Sequence, residues 1–331
     1  MMATGGKAKS STEDASATSA DMAAAGAFAF LTFVAVSKTL LTKLVFTSHD
    51  NGPVAFSVLS CVLTLLCMWP VFKWKPETWA VPRPEMYKGF LGVCVAIALD
   101  LACTNVALSL LSVALQQCIK ATSPALTIML ESAVNKKLQH PLIYVTIALI
   151  CLGPILAQLG TTSFDSTPLG IFMMLFAVTA GAFKYVAAHA VIKEYRGEMG
   201  TLAFTFWVEV VVAIMLLPWA ILNGELSHMI SLTSLNTNTV LLWFTAAYGG
   251  VRIYSQFLLL AYTSATTLAM SNLAIQAFTI ILGIFFFGTE LTSYLVWGVT
   301  VTLVFSAVYT YLKLSKVLEK TEYGKVGSGG H

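Results

Sequence analysis

Charge is scarce in this chain: Asp, Glu, Lys and Arg make up 11% of its 331 residues. A soluble globular domain carries roughly 25%, so an ordinary water-soluble fold is excluded. Cysteine is sparse too. Its six copies (Cys61, Cys67, Cys94, Cys103, Cys118 and Cys151) show no C-x-x-C spacing, which excludes a disulfide frame or zinc site and predicts buried free thiols. The five histidines are scattered. No H-E-x-x-H, G-x-S-x-G, Cys/His cluster or pair of neighbouring apolar-embedded aspartates occurs, so neither a metal nor an enzymatic nucleophile is expected.

What the chain has instead is apolar sequence. Hydrophobic residues reach 57% and fall into ten blocks, at 23–45, 53–72, 89–109, 112–134, 141–160, 168–192, 201–222, 240–262, 265–288 and 292–314. About 20 such residues cross the ~30 Å hydrocarbon layer. The expected fold is an all-α integral membrane protein with ten transmembrane helices. Blocks three and four nearly touch through 109-SLLS-112, and eight and nine through 262-YTSA-265, so eight or nine spans is the alternative. Residues 1–22, polar and rich in Ser, Thr and Ala, read as a disordered N-terminal tail. Residues 23–315 read as the membrane domain and 316–331 as a C-terminal tail.

Positive charge orients the spans. With a cytosolic N-terminus, the cytosolic loops hold Lys73, Lys75, Arg83, Lys88, Lys136, Lys137, Lys193 and Arg196, while loops 46–52, 161–167, 223–239 and 289–291 contain no lysine or arginine. That is the positive-inside asymmetry, and it supports both the count of ten and two cytosolic termini. Lys38, Lys43, Lys120, Lys184 and Arg252 are left inside the apolar blocks, with Asp100, Glu131 and Glu209.

Each such cation costs ~2.5–3.5 kcal/mol at a helix centre. Lys43 and Glu131 lie near block ends, from which they can snorkel to water. Lys120, Lys184 and Arg252 are deeper; Asp100 can neutralise one cation and Glu209 another, leaving positive charge over. An anion-binding cavity accounts for it, and purely structural ion pairs are the alternative. In 113-VALQQCIKATSPALTIML-130, Pro124 has no N–H for the carbonyl of Lys120, so the helix opens beside the lysine. Irregular backbone at membrane depth lines cavities or is buried in protein, and broken helices flank transporter sites; a plain kink is the alternative. At an offset of 152, 126-LTIML-130 falls on 278-FTIIL-282 and Ser112 on Ser264. The offset pairs block four with block nine, five spans apart. This is the signature of a 5+5 inverted repeat, with halves at about 23–160 and 168–314.

These residues resemble the triose-phosphate/nucleotide-sugar transporter family of the drug/metabolite transporter superfamily, over roughly residues 28–314. The run 98-ALDLACTNVALSLLSVALQQCIKATSP-124 looks like the family's third and fourth helices. The segment 37-SKTLLTK-43 is similar to its first-helix N-K-x-L-x-x-K, with Ser37 in place of asparagine. The stretches 182-AFKYV-186, 254-YSQ-256, 264-SATTL-268 and 285-FFFGTELT-292 also match. One departure concerns 271-SNLAIQAFT-279, where Ile275 and Gln276 stand where phosphate-carrying members have a lysine followed by Thr, Glu or Arg. The resemblance leaves open whether Ile275 abolishes phosphate-type recognition.

The resemblance implies an antiporter that exchanges a nucleotide-sugar or phosphorylated sugar for phosphate or a nucleoside monophosphate by alternating access. The substrate-binding candidates are Lys120, Lys184, Arg252, Lys38, Gln117, Tyr185, Tyr254 and Asn272, with Pro124 as the helix kink. The implied partners are the anionic substrate, its counter-substrate and the lipid bilayer; a homodimer is compatible, and no nucleic acid, metal or cofactor is expected. Residues 1–22 contain three acids and no arginine, unlike a transit peptide, so the expected location is the Golgi or endoplasmic reticulum membrane over a plastid envelope. A transport-inactive relative with a regulatory or trafficking role is the alternative. The aromatics in 284-IFFFG-288 and 309-YTYL-312 read as lipid-facing belt.

Overall fold

The computed structural model describes residues 5–48, 52–135, 140–159, 168–195, 197–226, 237–288 and 292–314. Eleven α-helices lie among them: α1 (Gly5–Ser48), α2 (Pro53–Trp74), α3 (Tyr87–Leu110), α4 (Val113–Lys120), α5 (Ser123–Asn135), α6 (Pro141–Leu159), α7 (Pro168–Glu194), α8 (Thr201–Leu222), α9 (Thr237–Tyr262), α10 (Ala265–Phe287) and α11 (Ser293–Leu314). No strand occurs among the described residues. A helix satisfies its backbone hydrogen bonds internally, the condition for running through lipid. Six of the helices carry segments long and apolar enough to cross a membrane.

Punctuation in the sequence sets the helix ends. Pro53, Pro141 and Pro168 open α2, α6 and α7, where the missing N–H is not needed. Gly288, at φ +59°, closes α10 by donating its N–H to the carbonyl of Ile284, in the left-handed conformation that glycine adopts without steric cost. Glu225, just beyond α8, accepts from the N–H groups of Val54 and Ala55 at 2.8 and 2.9 Å and so caps α2. α1 differs from expectation: it extends back to Gly5 through the stretch read as a disordered tail. Six alanines lie from Ala8 to Ala24, at positions 8, 15, 17, 20, 23 and 24, and alanine has the highest helix propensity. The C-terminal tail, Lys136, Lys137, Arg196 and the side chains of Glu131 and Cys151 lie outside the described residues.

The bundle is apolar outside and polar within. Phe33, Leu66, Ile214 and Phe285 are exposed, whereas Lys38, Lys184, Glu209, Gln116, Gln117 and Gln256 are buried. α1 packs on α9, α3 on α7, α2 on both α8 and α9, and α6 on α11. Glycines allow the closest of these contacts: a Cβ on Gly249 would collide with Ser60, one on Gly250 with Thr64 and one on Gly153 with Thr302. Two side-chain expectations are corrected here. Cys67 is exposed where a buried thiol was expected. Tyr309 is fully buried beside Ile147 and Leu273 where an outer belt was expected; Phe285, Phe286 and Tyr311 are exposed.

Candidate anion site

The fourth apolar block is two helices. Ser112 accepts from the Leu115 N–H and starts α4. Eight residues later the chain tightens: Ala121 N–H bonds to the carbonyls of Gln117 and Cys118, and Thr122 N–H to that of Ile119. α5 then begins at Ser123 with Pro124 in its first turn, a position that needs no N–H. Pro124 thus leaves the Lys120 carbonyl without a helical donor, and that carbonyl accepts instead from Gln276 Nε2 on α10, at 3.1 Å. The ammonium of Lys120 sits at the C-terminal end of α4, where the helix dipole favours a cation.

Lys120 opens onto a cavity also lined by Lys38, Lys184, Arg252, Asp100, Asn105, Gln116, Gln117 and Gln256. The cavity volume is about 60 Å³, room for several waters at ~10–15 Å³ each. The side chains around it are braced from α2 and α3. Asn105 donates to Ser57 at 2.7 Å, Gln116 to the Thr104 carbonyl at 3.1 Å, and Gln117 to Gln116 at 3.0 Å.

The four cavity cations have different partners. Lys184 forms an ion pair with Asp100, whose other oxygen accepts from Thr104 at 3.2 Å. Its ammonium also lies 4.7 Å from the Tyr185 ring centre. Lys38 donates to the Thr245 carbonyl at 2.7 Å and sits 4.5 Å over the Phe56 ring, both favourable contacts for an ammonium. Neither Lys38, Lys120 nor Arg252 has a carboxylate within ion-pair distance among the described residues. Glu209 does not fill that role: it is buried with one carboxyl oxygen unpartnered, and it is absent from the cavity wall.

The structure brings five predicted site residues together on this cavity, namely Lys120, Lys184, Arg252, Lys38 and Gln117. Three others stand elsewhere. Tyr185 is buried behind Lys184 and accepts from Asn272 at 3.1 Å, which makes the two a buttress; Tyr254 is half-buried on α9 away from the wall. Lys43, half-buried, donates to the carbonyls of Leu108 and Leu111 at 3.0 and 2.9 Å, capping the C-terminal end of α3. Asn105, Gln116 and Gln256 were not singled out from sequence, since a buried amide in an apolar block gives no sign of which way it faces.

Residues 22–310 match the model of the Triose-phosphate Transporter family. This chain belongs to that family. As a Triose-phosphate Transporter family member it is a multi-pass membrane protein and a solute transporter, in a family of transporters and not of enzymes. It is similar to solute carrier family 35 member E4 of Rattus norvegicus, 26% identical over 83% of this chain and 75% of that one. A probable sugar phosphate/phosphate translocator of Arabidopsis thaliana is 21% identical over 82% of this chain and 67% of that one; a second is 23% identical over 59% and 62%. A solved crystal structure superposes at a TM-score of 0.58 and 14% identity, over 85% of this chain and 96% of that one, a likeness of fold alone.

Proposed function

We propose that the protein is an antiporter that exchanges an organic phosphate, either a phosphorylated sugar or a nucleotide-sugar, for phosphate or a nucleoside monophosphate by alternating access. The observation that carries this reading is the convergence of Lys38, Lys120 and Arg252 on one cavity with no carboxylate paired to any of them among the described residues. Arg252 is the cation that stands in for the ninth-span lysine missing at Ile275. Gln276 has another task, holding the opened chain at Lys120. Exchange follows from the charge: like charges in a low-dielectric interior oppose reorientation of the empty site, and a bound anion removes that penalty.

The reading takes the helices as ten spans in a 5+5 inverted repeat, with α4 and α5 as one broken span and halves at 23–160 and 168–314. Exchanging the halves turns the packing of α1 on α9 into that of α7 on α3, and both contacts occur. Ser112 and Ser264, related by the offset of 152, both cap a helix with their side-chain oxygens. Both termini face the cytosol in this reading, and the membrane is that of the Golgi or endoplasmic reticulum. Lys120→Ala tests it: exchange of labelled phosphate esters in proteoliposomes is expected to be abolished while yield and thermal midpoint stay near wild type. Full exchange by that variant contradicts the assignment.

A further inference from the structure

Glu209 is a carboxyl group that neither lines the cavity nor forms an ion pair among the described residues. It lies on α8 at 1% exposure, with one carboxyl oxygen unpartnered among those residues. Its place in the repeat is informative. An offset of 148 lays α2, Pro53–Trp74, on α8, Thr201–Leu222. Gly52 then falls on Gly200 ahead of each helix, 55-AFS-57 on 203-AFT-205, and Pro70 on Pro218. The bonds repeat as well. Phe56 and Phe204 donate their N–H to the Gly52 and Gly200 carbonyls at 2.9 and 3.0 Å. Ser57 and Thr205 each donate a hydroxyl to the carbonyl four residues earlier. In this register Glu209 is the counterpart of Cys61, and the two meet: the Cys61 thiol hydrogen-bonds to the Glu209 carboxyl group. A residue that touches its own counterpart stands on the axis relating the two halves.

The groups around Glu209 come from every helix packed near it. α8 packs on α2, α3 and α9. α2 brings Cys61, α3 brings Cys94, and Lys38 of α1 lies within electrostatic reach of the carboxyl group; α9 carries Arg252, whose charge acts on Lys38. Lys38 is turned away from the carboxyl group, to the Thr245 carbonyl and the Phe56 ring. An ionised carboxylate with an unpartnered oxygen in such a place bears a large desolvation cost. Either a proton or an ammonium group removes it.

We propose that Glu209 is a proton-binding site that governs the availability of Lys38 and so couples the transport read above to protons. With the proton bound, the carboxyl group is neutral and Lys38 stays with the cavity. When the O–H bond breaks, the proton passes to solvent by way of the cavity. The carboxylate then takes the Lys38 ammonium into an ion pair and withdraws it from the cavity. An anion in the cavity and a proton on Glu209 therefore favour each other, each raising the affinity of the other by the same factor.

Infrared spectroscopy of the full-length protein in bilayers reads the proton directly, through the C=O band of a neutral carboxyl group. Wild type at neutral pH is expected to show a band that disappears as pH rises and is missing from Glu209→Gln, which keeps the size of the side chain. Cys61→Ala assigns the band independently, since loss of the thiol's hydrogen bond shifts its frequency. Lys38→Met removes the cation that replaces the proton, so its band is expected to persist at least about one pH unit further. Inorganic phosphate, added to wild type at a pH where the band has gone, is expected to restore at least about half of it. A band unmoved by Glu209→Gln and Cys61→Ala overturns the proton site, and equal persistence in wild type and Lys38→Met overturns the exchange with Lys38. Phosphate that raises the thermal midpoint yet leaves the band absent overturns the coupling. Phosphate that does neither overturns the transport reading, while the band and its response to Lys38→Met still decide the proton site.

Discussion

A lysine in a membrane bundle is explained by what surrounds its ammonium group, and this chain gives the lysines within its bundle different surroundings. Lys43 caps the end of α3, Lys184 closes on Asp100, Lys38 rests on a carbonyl and a ring, and Lys120 faces the cavity at a helix end. Lys184 is the one whose loss exposes a second charge. Lys184→Ala is expected to lower unfolding stability by about 3–5 kcal/mol, because it leaves the Asp100 carboxylate unpaired inside the protein. Replacing both by apolar residues is expected to recover most of that loss, as followed by denaturation in detergent. A double variant no more stable than the single one would mean that the pair acts by something other than mutual neutralisation. The sequence showed these cations as residues out of place in apolar blocks. It did not show which was neutralised, because Asp100 and Lys184 lie 84 positions apart and meet only once α3 packs on α7.

At the scale of the helix, the break between α4 and α5 was legible because it follows from a local rule: a proline four residues on leaves a carbonyl without its donor. The donor that replaces it was not legible. Gln276 reads in sequence only as the neighbour of the lysine missing at Ile275, and only the packing of α10 against α4 shows that its amide reaches the Lys120 carbonyl. The two observations form a testable pair. Gln276→Leu is expected to cost about 1–3 kcal/mol by leaving a buried carbonyl unsatisfied. Pro124→Ala restores an N–H within the same turn, so in the Pro124→Ala background the cost of Gln276→Leu is expected to shrink, with a coupling of about 1 kcal/mol in a double-mutant cycle. Strict additivity would show that Gln276 acts independently of the proline. Tyr309 and the first turns of α1 were misread for a related reason: composition gives propensity, but which face of a helix is covered depends on its neighbours.

For the molecule as a whole, long apolar blocks and confined positive loops were enough to read a helical membrane protein, since the hydrocarbon layer restricts the possible backbones. The cavity was legible only as an excess of charge, and its lining required the bundle. The account depends on that excess being met by an anion, so the most direct measurement is the thermal midpoint of the purified protein titrated with inorganic phosphate at constant ionic strength, in wild type and in the Lys120→Gln, Arg252→Gln double variant. Ligand that binds only the folded state at about 100 times its Kd adds ~2.7 kcal/mol. The account predicts a midpoint that rises with phosphate in wild type and stays flat in the double variant. An unmoved wild-type midpoint, or an equal rise in both proteins, contradicts it.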